Sequence, residues 1–379
     1  MKVAIVHDYL NDYGGAEKVV NAIHELYPDA PIYTAVKNEK KLHKAGAFLK
    51  AKIIAPKLNG IIAPFKKLFV FSYPVYFENL NLDKYDLVIS STAHFAKGII
   101  TGPHTLHICY IHTPPRFLWG LKSETSIRDA WWAKYPLKVF DSYLRVWDYS
   151  AAQRPNYLLT NSENTRARIK KFYKRDAKVI YPFYDSNLSE KEIATIKAEE
   201  GDFYFTVSRR GKYKNLDLIA KAFNKLEKRV YIAGSGSTDP DLEQYKSDFV
   251  KLVGFISERD KISYLKGCKA FVLATENEDF GITAIEAMSF GKPVIALDSG
   301  GLRETVIDGK TGVLFKHAEV NSLVDAIKKF EEVEIWKLGK AEIREFARKF
   351  SKERFQKEFT NFVKTKLTDK QKNLPARSV

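Results

Sequence analysis

Short β-rich runs alternate with amphipathic helical patterns through almost the whole chain, and that alternation confines it to parallel α/β layers. In the first half KVAIVHDY reads as a strand and AEKVVNAIHELY as a helix, with further strands in DLVISS, HTLHICYIH, YLLTNS and AKVIYPF. A second series begins near residue 202. It runs through strand DFYFTVS, helix LDLIAKAFNKLE, strands RVYIAG, KLVGF and AFVLAT, helix GITAIEAMSFG and strand PVIAL. Between the two series DSNLSEKEIATIKAEEGD is polar and helix-prone, and reads as the linker. The 379 residues are enough for two domains with separate cores, expected over 1–185 and 200–354 with a crevice between them.

Composition removes several classes. Cys109 and Cys268 lie far apart without a CxxC pair, which excludes a disulfide scaffold and a cysteine zinc site and fits a reducing compartment. MKVAIVHDYL reads as a first strand, since its apolar run ends at His7 and Asp8 with no cleavage site of small residues. No uninterrupted apolar stretch reaches the roughly 20 residues of a membrane-spanning helix. The net charge of +16, from 62 Lys+Arg against 46 Asp+Glu, implies a polyanionic neighbour: nucleic acid, an anionic membrane surface or a phosphorylated ligand. Against nucleic acid, the chain has no helix-turn-helix, zinc-finger, RNP or KH signature.

Candidate chemistry concentrates in AFVLATENEDFGITAIEAM, a strand, loop and helix. Phe280, Gly281, Ile282 and Thr283 stand at the helix start, where amide groups lack intrahelical partners and the dipole is positive, so an anion can bind. Glu278 lies in the loop at the carboxyl end of the strand, where open α/β sheets bind ligands. Glu286 is the only charged residue between Asp279 and Lys292, beside Ile282, Ile285 and Met288, and an ionised carboxylate there needs hydrogen-bond donors. The hydroxyls of a sugar or ribose are the donors expected. In TVSRRGKYKNLDL, Arg209 and Lys214 follow a strand and precede a helix, placed to neutralise a diphosphate. AGSGS ends another strand where a ligand can approach. In the first half, Gly14 and Gly15 separate strand from helix as a further phosphate or sugar contact. His112 and Thr113 end a strand before two prolines. GKYKN is not a Walker loop, no G-x-G-x-x-G fingerprint is present, and no His/Asp cluster has metal spacing, so no obligatory metal is expected.

ENEDFGITAIEAMSFGKPVIALDSGGLRETVIDGKTGVLF resembles the E-x7-E block of glycosyltransferase family 4, whose members are retaining enzymes with the GT-B fold. Glu278 and Glu286 match its two glutamates, and VSRRGKYKNLDL resembles its Arg and Lys diphosphate loop at Arg209 and Lys214. HDYLNDYGGAEKV, CYIHTPPRFLW and LTNSENTRARIKKFYKRDAKVIYP resemble a branch rich in mannosyltransferases of surface-polysaccharide assembly. The resemblance thins over 41–80 and 121–150.

It implies an α/β GT-B protein of two Rossmann-like, parallel-sheet domains facing each other across a crevice, with a last helix, 355–379, packed back on the first. Glu286 would bind ribose hydroxyls. Glu278 and Phe280 to Thr283 would hold the transferred sugar and the diphosphate. Arg209 and Lys214 would stabilise the leaving nucleoside diphosphate. His112 would face the sugar, and Gly15 would lie near the diphosphate or acceptor. The expected reaction moves a hexose, foremost mannose from GDP-mannose, to a glycan acceptor on polyprenyl diphosphate. A nucleotide sugar is the substrate, with no cofactor and no nucleic-acid partner. A UDP-glucose or UDP-N-acetylglucosamine donor is the alternative, and nucleic-acid binding a distant one. PKLNGIIAPFKKLFVFSYPVYF (Pro56–Phe77) mixes Lys57, Lys66 and Lys67 with aromatics, so a peripheral place on an anionic membrane, at its cytoplasmic face, is expected.

Overall fold

Residues 1–57, 70–122, 131–186, 188–209, 211–332 and 339–373 are described in the computed structural model of the chain. Their contacts divide the chain into two units: 1–119 with 138–183 and 352–379, and 120–137 with 184–351. Residues 120–137, from the expected first domain, thus group with the second unit, and 352–379 group with the first.

The first unit holds a seven-stranded sheet of β1 (Val3–Leu10), β2 (Ile32–Lys37), β3 (Ile53–Ile54), β4 (Leu87–Thr92), β5 (Leu106–Ile111), β6 (Tyr157–Thr160) and β7 (Lys178–Val179). Its order is β3-β2-β1-β4-β5-β6-β7, and every pairing is parallel. Both faces are covered. On one, Ile5 packs with Val19, Val20 and Ile23 of helix α1 (Gly15–Leu26); on the other, Ala4 and Val6 pack with Tyr73 and Phe77 of α2 (Tyr73–Glu78). Burial from both sides explains why β1 reads as a continuous apolar run rather than an alternation. Helix α3 (Trp131–Gln153) and α4 (Glu163–Tyr173) follow β5 and β6.

The second unit holds a six-stranded sheet of β8 (Tyr204–Val207), β9 (Val230–Ala233), β10 (Val250–Gly254), β11 (Phe271–Leu273), β12 (Val294–Leu297) and β13 (Gly312–Phe315), ordered β10-β9-β8-β11-β12-β13 and again parallel. Its helices include α5 (Leu216–Leu226), α6 (Glu258–Gly267), α7 (Ile282–Ser289) and α8 (Val320–Glu332). Val272, Ile295 and Val313 pack with Ile219 and Phe223 of α5 and Leu323 and Ile327 of α8. The polar stretch after residue 185 carries a short helix, Glu190–Thr195, started by a reciprocal Ser189–Glu192 cap. Lys266 of α6 donates to the Ile193 and Ile196 carbonyls, tying this stretch to the second unit. The last helix α9 (Lys352–Asn373) inserts Phe355, Phe359 and Val363 into the core of the first unit.

Each sheet has one place where the strand order reverses: β1 beside β4, and β8 beside β11. Crevices outside the carboxyl ends of such strand pairs are where open α/β sheets bind ligands. Of the expected membrane stretch, residues 58–69 lie outside the described residues. The rest is corrected in part: Tyr73 and Phe77 are core, and the Tyr76 hydroxyl donates to the Thr34 carbonyl, whereas Phe71 and Val75 are exposed. Among the described residues no helix is long and apolar enough to cross a membrane.

Candidate active site

In the second unit, the switch pair β8 and β11 brings together the loops that follow them. Three contacts lock these loops: Glu276 N–H donates to the Tyr213 carbonyl at 2.9 Å, Asn215 Nδ2 donates to the Ala274 carbonyl at 2.9 Å, and Lys214 Nζ meets Glu278 Oε2 at 2.7 Å. Lys214 and Glu278 are both largely buried, with 17% and 19% of their side chains exposed. Burial works against the Lys214 ammonium, but the Glu278 carboxylate outweighs it, and the pKa is raised. Lys214 is therefore a permanent cation in the neutral range. Arg209 is exposed, and its guanidinium makes no hydrogen bond or ion pair among the described residues.

The backbone from Asn277 to Gly281 is held from below by the Ser299-Gly300-Gly301 turn. Asn277 N–H donates to Ser299 Oγ and Gly301 N–H to the Glu278 carbonyl, each at 2.8 Å. A Cβ at Gly300, whose φ is +61°, would stand 2.3 Å from that carbonyl, so only glycine allows this approach. Gly281 (φ +94°) then turns the chain into α7, leaving the Ile282 and Thr283 amides in its first turn. The glycines of AGSGS also serve packing within the unit. A Cβ on Gly234 would lie 2.4 Å from the Ser208 carbonyl, so that position admits the backbone leading to Arg209.

Glu286 is 5% exposed on α7. Its donor comes from the protein: Lys261 on α6 places Nζ 2.5 Å from Glu286 Oε1 and 2.9 Å from Glu258 Oε2. Burial lowers the Lys261 pKa, but the two carboxylates raise it further, so the net direction is up. Tyr184 lies beside the same carboxylates, and burial followed by Glu286 and Glu258 raises its pKa. To the hydroxyl donors expected from a ligand, the structure thus adds a built-in ion pair at Glu286 Oε1. Lys261 lies in a run of charges, SERDK, where spacing does not single it out. Glu276 was also missed: it binds Lys122 Nζ at 2.8 Å and Asn215 Nδ2 at 3.2 Å, and Lys122 holds its pKa low. The three acids in ENED were its only signal.

Lys261→Met is expected to strand Glu286 as a buried, unpaired carboxylate and to destabilise the second unit by about 3 kcal/mol. The double variant Lys261→Met/Glu286→Met should recover much of that loss, as urea titrations would show. Equal losses in the single and double variants would mean that the pair contributes nothing.

In the first unit the switch pair places His7 and Asp8 of β1 beside Ser91 and Thr92 of β4. Ser91 is a hub. Its carbonyl accepts from His7 Nδ1 at 2.8 Å, and its Oγ lies 2.8 Å from His112 Nε2, just beyond β5. Burial, then the neighbouring His7, pushes the His112 pKa down to about 3, so its imidazole is neutral. His7 goes the other way: burial opposes its charge, but Glu17 at 3.8 Å and Asp8 raise its pKa. Glu17 also accepts from Gly14 N–H at 2.8 Å, which fixes the Gly14–Gly15 entry to α1.

Asp8 is 3% exposed and accepts from Thr92 Oγ1 and from the amides of Ala93, His94, Phe95 and Ala96, all within 3.1 Å. The turn after β4 is an anion nest filled by the protein's own carboxylate. Sequence reading named His112 and Gly15 but missed His7, Asp8, Glu17 and Ser91. HD at the end of the first strand was the available signal. Among the described residues no group of three or more His, Cys, Asp or Glu side chains could hold a metal ion.

Comparison with known proteins adds relatives. Residues 189–353 match the family model described as glycosyl transferases group 1. The alpha-1,3/1,6-mannosyltransferase ALG2 of Dictyostelium discoideum is 26% identical, the alignment covering 83% of this chain and 86% of that protein. The mouse protein of the same name is 30% identical over 55% of this chain, and the chain spans 58% of its length. Among solved structures, Anabaena Alr3699/HepE in complex with UDP-glucose aligns with a TM-score of 0.69 at 17% identity, covering 96% of this chain and all (100%) of that one. Sucrose-phosphate synthase from Thermosynechococcus elongatus aligns with a TM-score of 0.67 at 16% identity, over 97% of this chain and 100% of that one.

Proposed function

We propose that this glycosyltransferase, whose residues 189–353 belong to the group 1 family, moves mannose from GDP-mannose to a glycan acceptor with retention of configuration. Its fold is GT-B, an α/β protein with two parallel sheets. In this reading the acceptor is carried on polyprenyl diphosphate, and the enzyme works peripherally at an anionic membrane surface on the cytoplasmic side.

The observation that carries the reading is the buried Lys214–Glu278 pair held beside the first turn of α7, with Arg209 exposed on the adjoining loop. As the bond from sugar to phosphate breaks, negative charge grows on the leaving diphosphate, and stabilising it is the largest electrostatic task of the reaction. Lys214, kept cationic by Glu278, and the Arg209 guanidinium face this charge, and the Gly281–Thr283 backbone adds the positive end of α7. Glu278 and Phe280 are assigned to the transferred sugar. Glu278 also keeps Lys214 charged and aimed before the donor arrives.

Glu286 is assigned to the ribose hydroxyls, with Lys261 fixing the position of its carboxyl group at 2.5 Å. In the first unit, His112 is assigned to the sugar and Gly15 to the donor. A neutral His112 serves as a hydrogen-bond partner and brings no second cation. The nucleotide sugar is the substrate, and the reading calls for no cofactor.

Initial rates with GDP-mannose, UDP-glucose and UDP-N-acetylglucosamine test the donor, and proton NMR of the product tests the stereochemistry. GDP-mannose should be used fastest, with the donor's anomeric configuration kept. Faster use of a UDP-sugar would replace the mannosyl donor, and an inverted product would remove retention. A chelator should leave the rate intact; loss of activity restored by Mn²⁺ would count against metal-independent transfer.

A further inference from the structure

Five of the nine large apolar side chains more than half exposed among the described residues lie on one helix of the first unit and on the segment joined to it. Val139, Tyr143 and Val146 are 68%, 79% and 69% exposed, and Phe71 and Val75 are 59% and 60% exposed. Val139, Tyr143 and Val146 follow an i, i+4, i+7 spacing, which puts them on one stripe of α3. The Phe71 and Phe140 rings meet edge to face at 6.4 Å, joining that helix to the turn that leads into α2. A lone exposed valine needs no explanation, but a contiguous patch of this kind marks an interaction surface.

The opposite side of α3 is anchored. Asp148, fully buried, takes Lys97 Nζ at 2.5 Å, Trp119 Nε1 at 2.7 Å and the Tyr173 hydroxyl at 2.7 Å. Trp147 Nε1 donates to Glu78 at the end of α2 at 2.7 Å. With Asp148 and Trp147 committed to these partners, the helix has no route to bury the outer stripe by rolling. Its charges are sorted as well. The two acids of α3, Asp141 and Asp148, are buried at 7% and 0% exposure, and Lys138 stands exposed beside Val139.

We propose that this stripe, with Phe71 and Val75, is the face by which the protein lies on an anionic lipid bilayer. Valine, phenylalanine and tyrosine side chains enter the boundary between headgroups and acyl chains, while Lys138 and the chain's +16 charge attract the anionic surface. A bilayer fits better than an acidic protein partner because the centre of the patch is apolar and, among the described residues, α3 carries no exposed carboxylate. The inference rests on the reading of a lipid-carried acceptor and assigns the docking to residues outside the donor site.

Co-sedimentation with phosphatidylcholine vesicles, with and without phosphatidylglycerol, tests it, using full-length protein and no glycan acceptor. Wild type should bind the phosphatidylglycerol vesicles and be released by salt. Val139→Ser/Tyr143→Ser/Val146→Ser should lower the partition coefficient about tenfold or more, and Lys138→Glu should weaken binding in the same direction. GDP-mannose affinity and thermal unfolding, measured in parallel, should not change in either variant, because all of these side chains are exposed. Unaltered vesicle binding by the triple variant would overturn the proposal. So would wild-type protein that ignores anionic vesicles, or a wild-type dimer that the triple variant dissociates. Loss of GDP-mannose binding in wild type would instead strike the transferase reading and leave the vesicle result to stand alone.

Discussion

Lys214→Ala is expected to lower kcat/KM for transfer from GDP-mannose by about 100-fold or more, with the loss appearing mainly in kcat. The reason is geometric and electrostatic. Lys214 is held by Glu278 at 2.7 Å, charged, in the loop that adjoins the first turn of α7. Its ammonium pays no reorganisation when charge develops on the leaving group. Arg209→Ala should have an effect of similar size, without a cost in stability, because that side chain is exposed. Lys214→Arg should recover part of the rate by keeping the charge, although its fork cannot reproduce the single contact to Glu278. Steady-state kinetics across a range of donor concentration distinguish the possibilities. A rise in KM with kcat unchanged would reduce Lys214 to a binding residue, and near-wild-type kinetics in both alanine variants would remove the diphosphate assignment.

The largest effect on stability is expected at Asp8. Asp8→Asn keeps the shape but replaces one acceptor oxygen with an NH₂ group facing amides that now donate to Asp8. The first unit should lose at least about 3 kcal/mol. Burial alone would raise the Asp8 pKa, but His94, His7 and the Ala96 and Ala93 amides overcome it and hold the pKa below its ordinary value. The sign follows from that direction. A carboxylate more acidic in the folded state contributes stability that is present in full above the unfolded pKa, about 3.9, and is lost as pH falls through the lower folded value. Wild type should therefore lose stability below about pH 4, and Asp8→Asn should show a flatter acid limb. Hydrogen exchange at residues 93–96 gives a local readout, with protection in wild type and faster exchange in the variant. Unchanged exchange there would show that the nest does not depend on Asp8.

Much of the arrangement of the loops after β8 and β11 was legible in the sequence because it is local. Glu278, Gly281 and Glu286 lie within one strand-loop-helix unit, where strand end, turn and helix face follow from spacing alone. Arg209 and Lys214 were legible for the same reason, since any loop after a parallel strand opens on the carboxyl edge of its sheet. The strands of the first half were readable where the chain is apolar over several residues, as in β1, β4 and β5. Helix α3 was not, because Trp131–Gln153 interrupts its pattern with polar residues whose partners lie elsewhere in the chain, such as Asp148 with Lys97.

What the sequence determined by itself was therefore the alternation of strands and helices, hence two parallel sheets, and the residues that local connection places at the strand ends. Tertiary structure alone decided how the charges were matched. Glu286 found Lys261, Asp8 found four amides some 85 residues on, and Ser91 joined two histidines from strands on either side of it. Buried charge demands a partner, but hydrogen bonds and Coulomb attraction act through space, and spacing along the chain carries no record of which distant group will supply one.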